Sequence, residues 1–255
     1  MRRALLFALA LAWMGGPAAC RPAPTPAPVP TLEPRLLQAR EALQRGDGIA
    51  ALAVLEPFVR EHPEALDARV WLGDAYAMAG RMAEAEQAYR EVLRRVPEHA
   101  PARLGLGAVL YQSGRLSEAV AEAQAVLARH PQEARAYYLL GAAFLQQNRI
   151  QEAHQAFEQA LRLRSDFPEA YVGRGAARLL EGDFTGAEAD LRRALAQRPG
   201  MPEAHYWLGR LLAQQGEVDE AQQHLQAFLE SPGPSPFREE AEALLQLLQG
   251  ASPAR

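Results

Sequence analysis

Glycine recurs every 34 residues through most of this chain, at Gly73, Gly107, Gly141, Gly175 and Gly209. A turn-forming glycine or asparagine follows each of these glycines by seven residues, and an alanine follows by twelve. A fixed period of this length is typical of helix–turn–helix units that stack side by side, because one unit cannot bury its apolar face alone. The period therefore predicts an all-α solenoid, and it favours binding over catalysis.

With the recurring glycine as position 8, the repeat domain, residues 35–235, consists of six repeats. Each repeat contains two stretches with apolar residues at three- and four-residue spacing, which predicts helices A and B. Position 15 ends helix A with glycine in five repeats and Asn148 in the fourth, so it is expected to be left-handed. Small residues at positions 8 and 20 are expected to let helices A and B approach closely. The 34-residue frames are 32–65, 66–99, 100–133, 134–167, 168–201 and 202–235.

The second repeat reads LDARVWLGDAYAMAGRMAEAEQAYREVLRRVPEH. It resembles the tetratricopeptide repeat (TPR), and the resemblance implies a superhelix whose A helices line the concave face. Six such repeats in phase cover about four fifths of the chain. The matching residues are Leu72, Gly73, Tyr76, Gly80, Ala85, Tyr89 and Pro97.

Both ends of the array depart from the repeat pattern. Pro57 lies within helix B of the first repeat, where proline is expected to kink or shorten the helix. After the sixth repeat, residues 236–250 contain the amphipathic stretch FREEAEALLQLLQ. This stretch is expected to form a helix that caps the last exposed apolar surface, with binding of a partner helix as the alternative.

The N-terminus has the features of an export signal. Arg2 and Arg3 precede eleven apolar residues, and small residues then lead to Cys20, the one cysteine of the chain. Residues 1–19 are therefore predicted to be a signal peptide that resembles those of bacterial lipoproteins, with Cys20 as the lipidated residue. Pro17 stands where that family usually has an aliphatic residue, so an ordinary signal peptidase cutting nearby is the alternative. Arg21 is not the aspartate that favours inner-membrane retention in lipoproteins, which implies the outer membrane.

Residues 20–34 form a proline-rich segment, in which proline alternates with small residues from Pro22 to Pro30. Alternating proline blocks helix formation and favours an extended polyproline II conformation. At about 3.1 Å per residue, such a segment reaches roughly 40 Å. We interpret it as a tether between the lipid and the repeats, with a tail of no function as the alternative.

The resemblance places the binding residues on helix A, at positions 2, 5, 9, 12 and 13. A carboxylate clamp of the kind found in some TPR proteins needs lysine at position 5 and asparagine at position 9, and this chain has neither. The predicted partner is a protein or peptide segment with apolar side chains, extended or helical; alternatively, packing between repeats or the tether partly covers these residues. The predicted groove residues are Arg40, Val70, Asp74, Leu104, Tyr111, Tyr138, Leu145, Val172, Leu179, Tyr206 and Arg210.

No catalytic pattern stands out beside the repeats. The six histidines do not show metal-ligand spacing on one helix, and the serines do not form a GxSxG motif. We expect no enzyme activity, no cofactor and no metal. The formal net charge is −4 and no basic stripe occurs, so nucleic acid is not an expected partner.

Together these features predict a membrane-tethered TPR lipoprotein that faces the periplasm and assists assembly of an envelope complex as a monomeric scaffold. Its architecture resembles that of the pilotin-like TPR lipoproteins of type IV pili. Outer-membrane and cell-wall machinery are further candidates for the complex. A soluble exported binding protein without lipid, and a self-associating spacer, are the alternatives.

Overall fold

The computed structural model describes residues 34–232 and 235–251. The predicted signal peptide, Cys20 and most of the predicted tether lie outside the described residues. The described residues form thirteen α-helices and no β-strand, as the repeat pattern predicts. Their bounds are α1 (Pro34–Gln44), α2 (Gly48–Glu61), α3 (Leu66–Met78), α4 (Met82–Arg95), α5 (Ala100–Gln112), α6 (Leu116–Arg129), α7 (Ala134–Gln146), α8 (Ile150–Leu163), α9 (Pro168–Glu181), α10 (Phe184–Gln197), α11 (Pro202–Gln215), α12 (Val218–Glu230) and α13 (Arg238–Ala251).

Odd-numbered helices up to α11 are the A helices of the six repeats, and even-numbered helices are the B helices. Position 15 has positive φ in every repeat, which confirms the predicted left-handed exit from helix A. Asn148 has φ 60° and is the one residue other than glycine with positive φ in the described part of the chain. The five glycines at this position have φ between 74° and 85°. Only glycine, and less readily asparagine, adopts this conformation without strain.

Pro57 does not shorten helix α2, which has 14 residues, as many as α4. Of the two expected effects of Pro57, a kink or a shortening, the shortening is therefore wrong. Proline removes one N–H from the helix ladder and frees the carbonyl four residues earlier, on Ala53. The exposed side of the helix carries Ala53, so water can reach the freed carbonyl.

The packing between helices A and B brings positions 8 and 20 close together, since a Cβ atom on Gly175 would lie 3.3 Å from the carbonyl oxygen of Ala187. Alanine at position 20 is fully buried in all six repeats. In four of the five repeats with glycine at position 8, the space beside it is filled by the side chain at position 24; beside Gly107 it is filled by Leu139 of the next repeat. A Cβ atom on Gly73 would lie 2.7 Å from Cε1 of Tyr89, and one on Gly141 would lie 2.8 Å from the ring of Phe157. Glycine at position 8 therefore makes room for a large side chain from helix B.

The same aromatic side chains reach into the next repeat. A Cβ atom on Gly105 would lie 2.4 Å from the Tyr89 ring, and one on Gly173 would lie 2.4 Å from the Phe157 ring. Position 6 is thus glycine wherever position 24 of the preceding repeat is aromatic. The other interfaces reverse this arrangement, with a small or aliphatic residue at position 24 and a large one at position 6. These reversed pairs are Leu55 with Trp71, Ala123 with Leu139, and Leu191 with Trp207.

Consecutive A helices contact each other, from α1 with α3 through α9 with α11, whereas consecutive B helices in the described part do not. The array therefore curves with its A helices on the inner, concave side. Helix α13 continues the A-helix row by packing on α11 and α12. Ala241 and Leu248 of α13 are buried against this last repeat. None of the described helices has the length and apolar character needed to cross a bilayer.

Candidate protein-binding groove

A cavity of about 550 Å³ opens on the A-helix side of the third to sixth repeats. Helices α5, α7, α9 and α11 supply its walls, together with the linkers around Gly200 and Pro236. Four of the predicted groove residues line it and are brought together there. They are Tyr111, Tyr138, Leu145 and Val172. We call this cavity the aromatic groove.

Tyr138 lines the aromatic groove and is packed among other aromatic rings. Its ring packs against Phe167 and Phe157, with ring centroids 5.0 Å and 5.9 Å apart. Burial raises the pKa of Tyr138 above its ordinary value, and the neighbouring Tyr111 raises it further. Burial also raises the pKa of Tyr111. Both hydroxyls are therefore protonated at neutral pH and can donate hydrogen bonds, yet neither makes one to another described residue.

The rim of the groove carries three charged residues. Glu169 and Arg198 form an ion pair with each other. Glu203, one repeat after Glu169 at the same repeat position, is exposed and makes no ion pair with any residue of the described ranges. The rim therefore has one carboxylate whose charge is not compensated.

The C-terminal end of the groove is filled by the linker between α12 and α13. The Phe237 ring stacks on Tyr206 with a centroid distance of 4.4 Å and an interplanar angle of 12°. It also meets Trp207 edge-on at 5.5 Å. Pro236 lies beside it on the groove wall. The chain therefore places its own proline–phenylalanine pair at one end of the aromatic groove.

Four other predicted groove residues are buried in the core and do not line this cavity. Val70, Leu104 and Leu179 are each 6–7% exposed, and Tyr206 is fully buried. Position 5 faces the next helix A; Val70 and Leu104 share apolar clusters with residues of the following repeat. Tyr206 is covered by Phe237. These four side chains therefore support the repeat interfaces and do not line the aromatic groove, whereas Val172, also 7% exposed, does line it.

The three charged residues of the predicted set lie away from the aromatic groove. Arg40 is exposed and takes part in no ion pair with a described residue. Asp74 accepts a hydrogen bond of 2.5 Å from the hydroxyl of Tyr89. Arg210 lies 5.4 Å from the Trp207 ring centroid and 3.5 Å from Glu240. Asp74 and Arg210 are therefore already engaged within the fold.

Trp207, Glu203, Arg198 and Phe237 were missed by the sequence prediction. Glu203 occupies position 2, which the TPR resemblance itself assigns to the concave face. The alternation of glycine with large residues at position 6 could have drawn attention to Trp207. No repeat signal marks Phe237 or Arg198, because they lie in linkers and reach the groove only through the tertiary fold.

Other features of the described residues have structural explanations. A shallower depression of about 870 Å³ lies on α4 beside Arg115, but its Glu86 is already paired with Arg90 and Arg115. Asp190 is buried, and its carboxylate accepts hydrogen bonds from Arg174 and Arg178. No group of three or more potential metal ligands occurs within the described ranges. The aromatic groove therefore remains the surface with unpaired polar groups beside apolar walls.

Comparison with known families agrees with this geometry. Two tetratricopeptide repeat models match the chain, one at residues 78–143 and 178–233 and the other at residues 36–100 and 138–202. Together the matches span residues 36–233. The chain belongs to the tetratricopeptide repeat family, whose fold is a non-catalytic scaffold for protein interaction. A search of curated proteins gave no match.

Several solved structures share the fold. The thermophilic TPR protein TTC0263 of Thermus thermophilus is 24% identical, with a TM-score of 0.63, and covers 71% of this chain and 100% of its own. PilF of Pseudomonas aeruginosa is 22% identical, with a TM-score of 0.59, and covers 73% of this chain and 89% of its own. PilW, described as a widely conserved type IV pilus biogenesis factor, is 17% identical, with a TM-score of 0.66, and covers 84% of this chain and 96% of its own. At these identities the similarity shows a common fold.

Proposed function

We propose that this protein is a membrane-tethered scaffold that binds a protein segment in the aromatic groove during assembly of a cell-envelope complex. The observation that carries the proposal is the groove itself, in which Tyr111 and Tyr138 offer unpaired hydroxyls between apolar walls. A site of a few hundred cubic ångströms with mostly apolar walls and a few polar groups is typical of a binding site. Tyrosine is also a frequent anchor in protein interfaces.

Binding of a partner in the aromatic groove is tested by pull-down from cells that produce the protein. We expect Tyr111→Ala combined with Tyr138→Ala to reduce recovery of the partner strongly. Tyr137→Ala is the matched control, because Tyr137 is the neighbour of Tyr138 in sequence but does not line the groove. Unchanged recovery with the double variant would remove the groove from the function.

The proposed attachment to the membrane is based on Cys20 and on the signal-like sequence before it. Two or three acyl chains anchor a protein stably, whereas one chain binds a membrane only marginally. We expect the wild-type protein to fractionate with the outer membrane and Cys20→Ser to be released into the soluble periplasmic fraction. Equal solubility of the two after export would favour the soluble binding protein.

The complex we favour is the type IV pilus. PilW and PilF share the fold over most of their length, and PilW is described as a pilus biogenesis factor. Deletion of the gene is expected to reduce surface pili, and wild-type protein but not the Tyr111/Tyr138 double variant is expected to restore them. Normal piliation after deletion would redirect the proposal to outer-membrane or cell-wall machinery.

A self-associating spacer differs from a scaffold in its oligomeric state. Light scattering of the purified protein is expected to give a monomer mass that does not depend on concentration. A mass that rises with concentration would support the spacer instead.

A further inference from the structure

The aromatic groove is rich in hydrogen-bond donors that the fold leaves unused. The hydroxyls of Tyr111 and Tyr138 make no hydrogen bond within the described ranges, and both rings line the cavity. Filling the groove with a ligand that lacks acceptors would bury these hydroxyls unpaired, which costs binding affinity. The ligand must therefore bring acceptors into an aromatic-walled cavity.

This requirement favours a ligand whose backbone carbonyls are free. An α-helix uses its central carbonyls internally and is about 10–12 Å wide with its side chains, so only its side chains could accept from the tyrosine hydroxyls. A polyproline II segment makes no internal hydrogen bonds and keeps every carbonyl free. Proline also has no N–H that would need an acceptor from the groove. Aromatic-lined grooves suit such segments, because proline rings pack against the flat faces of the aromatic rings.

The chain itself provides an example of this packing. Pro236 and Phe237 of the α12–α13 linker occupy the C-terminal end of the groove, where Phe237 packs against both Tyr206 and Trp207. The groove thus already accommodates a non-helical, proline-containing stretch of chain. The open part lies next to this stretch, toward Tyr138 and Tyr111.

Charge sets a further requirement. The ion pair between Glu169 and Arg198 is neutral overall, whereas Glu203 on the same rim has no cationic partner among the residues described here. An arginine or lysine in the ligand would compensate this carboxylate. An acidic ligand would be repelled.

We propose that the aromatic groove binds a proline-rich segment of a partner protein in the polyproline II conformation, with a basic residue that pairs with Glu203. This inference rests on the proposed function, because it assigns a ligand class to the same surface. The tyrosine hydroxyls donate to the carbonyls of the segment, and the aromatic rings pack against its prolines.

Fluorescence anisotropy with the full chain in detergent tests the proposal. Three labelled twelve-residue probes are compared, namely a proline-rich peptide with one arginine, the same peptide with glutamate in place of arginine, and an amphipathic helical peptide. We expect the arginine peptide to bind most tightly. The glutamate peptide is expected to bind roughly twofold to fivefold more weakly at low salt, with the difference shrinking as salt is added.

Variants that keep the fold then test the individual contacts. Tyr138→Phe and Tyr111→Phe remove only a hydroxyl, and each is expected to weaken binding of the arginine peptide about threefold to tenfold. Glu203→Gln is expected to remove the preference for arginine over glutamate. Tyr137→Phe and Glu217→Gln, which change residues outside the groove, are expected to leave binding unchanged.

The failure of this inference is distinguishable from the failure of the proposed function. Binding of the helical peptide alone, weakened by Tyr138→Phe, would overturn the polyproline proposal while supporting the groove as the interaction surface. Binding of none of the three peptides, with pull-down still dependent on Tyr111 and Tyr138, would do the same. Binding of none of them, with pull-down independent of both tyrosines, would overturn both proposals.

Discussion

The second and fourth repeats are built on the same plan, yet they present different surfaces to the concave side. Tyr89 and Phe157 occupy the same repeat position and both pack between two glycines. Tyr89 has a hydroxyl, and Asp74 at position 9 accepts its hydrogen bond. Phe157 has none, and position 9 of its repeat is Ala142, which lines the aromatic groove. The paired change from Tyr and Asp to Phe and Ala therefore converts a charged site into an apolar wall.

The surface of the aromatic groove thus depends on the side chains of the core behind it. A tyrosine at position 24 needs an acceptor nearby, because a buried hydroxyl without a partner costs stability. A phenylalanine allows the groove-side residue to be apolar. Packing and binding surface are thus coupled through one pair of positions. Four predictions test the comparison between the second and fourth repeats, and a fifth extends it to the sixth repeat.

The largest effect is expected where the aromatic ring itself is removed. Phe157→Ala should lower the free energy of unfolding by about 3–5 kcal/mol, because it leaves a cavity between Gly141 and Gly173. Adding Gly173→Leu should restore part of the loss, because it copies the natural interface of Ala123 with Leu139. Urea unfolding followed by circular dichroism measures both. If the double variant is no more stable than Phe157→Ala, a large side chain at position 6 does not compensate for a small one at position 24 of this interface.

A smaller loss is expected from filling the space beside the ring. Gly173→Ala places a Cβ atom 2.4 Å from the Phe157 ring, and Gly105→Ala does the same at Tyr89. Overpacking of this kind typically costs about 1–3 kcal/mol, which exceeds the gain of up to about 1 kcal/mol from replacing glycine in a helix. The control is Gly250→Ala in α13, which meets nothing within 4 Å and should be neutral or stabilising. Equal melting temperatures for the three variants would contradict the close packing.

The polar pair of the second repeat should respond differently to single and double changes. Tyr89→Phe leaves Asp74 without its donor and should cost about 1 kcal/mol, whereas Tyr89→Phe with Asp74→Ala copies the fourth repeat and should cost less. Thermal unfolding of the single and double variants gives the coupling free energy between Tyr89 and Asp74. Purely additive effects would mean that the two positions are independent.

The contribution of the Tyr89–Asp74 pair to the free energy of unfolding is expected to decrease as pH rises. Burial raises the pKa of Asp74 above 3.8, and the hydrogen bond from Tyr89 opposes that rise. Because the pKa in the folded state exceeds the unfolded value, the stabilising contribution is present below pH 3.8 and is lost as pH rises through the folded pKa. Wild type should therefore lose stability relative to Asp74→Asn over this range. The fourth repeat, with Ala142, offers no equivalent effect.

The smallest effect on stability is expected from a histidine pair in the sixth repeat. His205 occupies the repeat position that Arg69 has in the second repeat and Tyr137 in the fourth. Nδ1 of His205 lies 2.8 Å from Nδ1 of His224, and Nε2 of His205 lies 2.9 Å from the carbonyl oxygen of Pro199. Burial lowers the pKa of His224, and the neighbouring His205 lowers it further, whereas Glu220 opposes this shift.

A lowered pKa in the folded state means that stability is complete above pH 6.5 and is lost as pH falls toward the folded pKa of His224. His224→Gln should flatten this part of the melting temperature profile between about pH 7 and pH 5. His62→Gln is the control, because His62 lies in the first repeat with no histidine partner nearby among the described residues. Identical profiles for wild type and His224→Gln would remove the histidine pair as a source of acid sensitivity.

Much of the fold could be predicted from the sequence because its determinants are local and repeated. The left-handed residue at position 15 permits few residue types, so glycine and Asn148 mark each turn within a repeat. The aromatic groove could be predicted only in part. Tyr111, Tyr138, Leu145 and Val172 are brought together as the family resemblance implies, but Tyr206 is buried because a distant linker residue, Phe237, covers it.

The sequence by itself determined the number of repeats, the positions of the helices and turns, and the small residues at which the helices pack closely. These follow from backbone conformation and from apolar periodicity, which depend on near neighbours in the chain. Only the tertiary structure decided which concave residues remain accessible, because that depends on the side chain contributed by the next repeat or by a linker. Tyr138 and Tyr206 share the same repeat position, and a single stacked ring makes one a groove residue and the other part of the core.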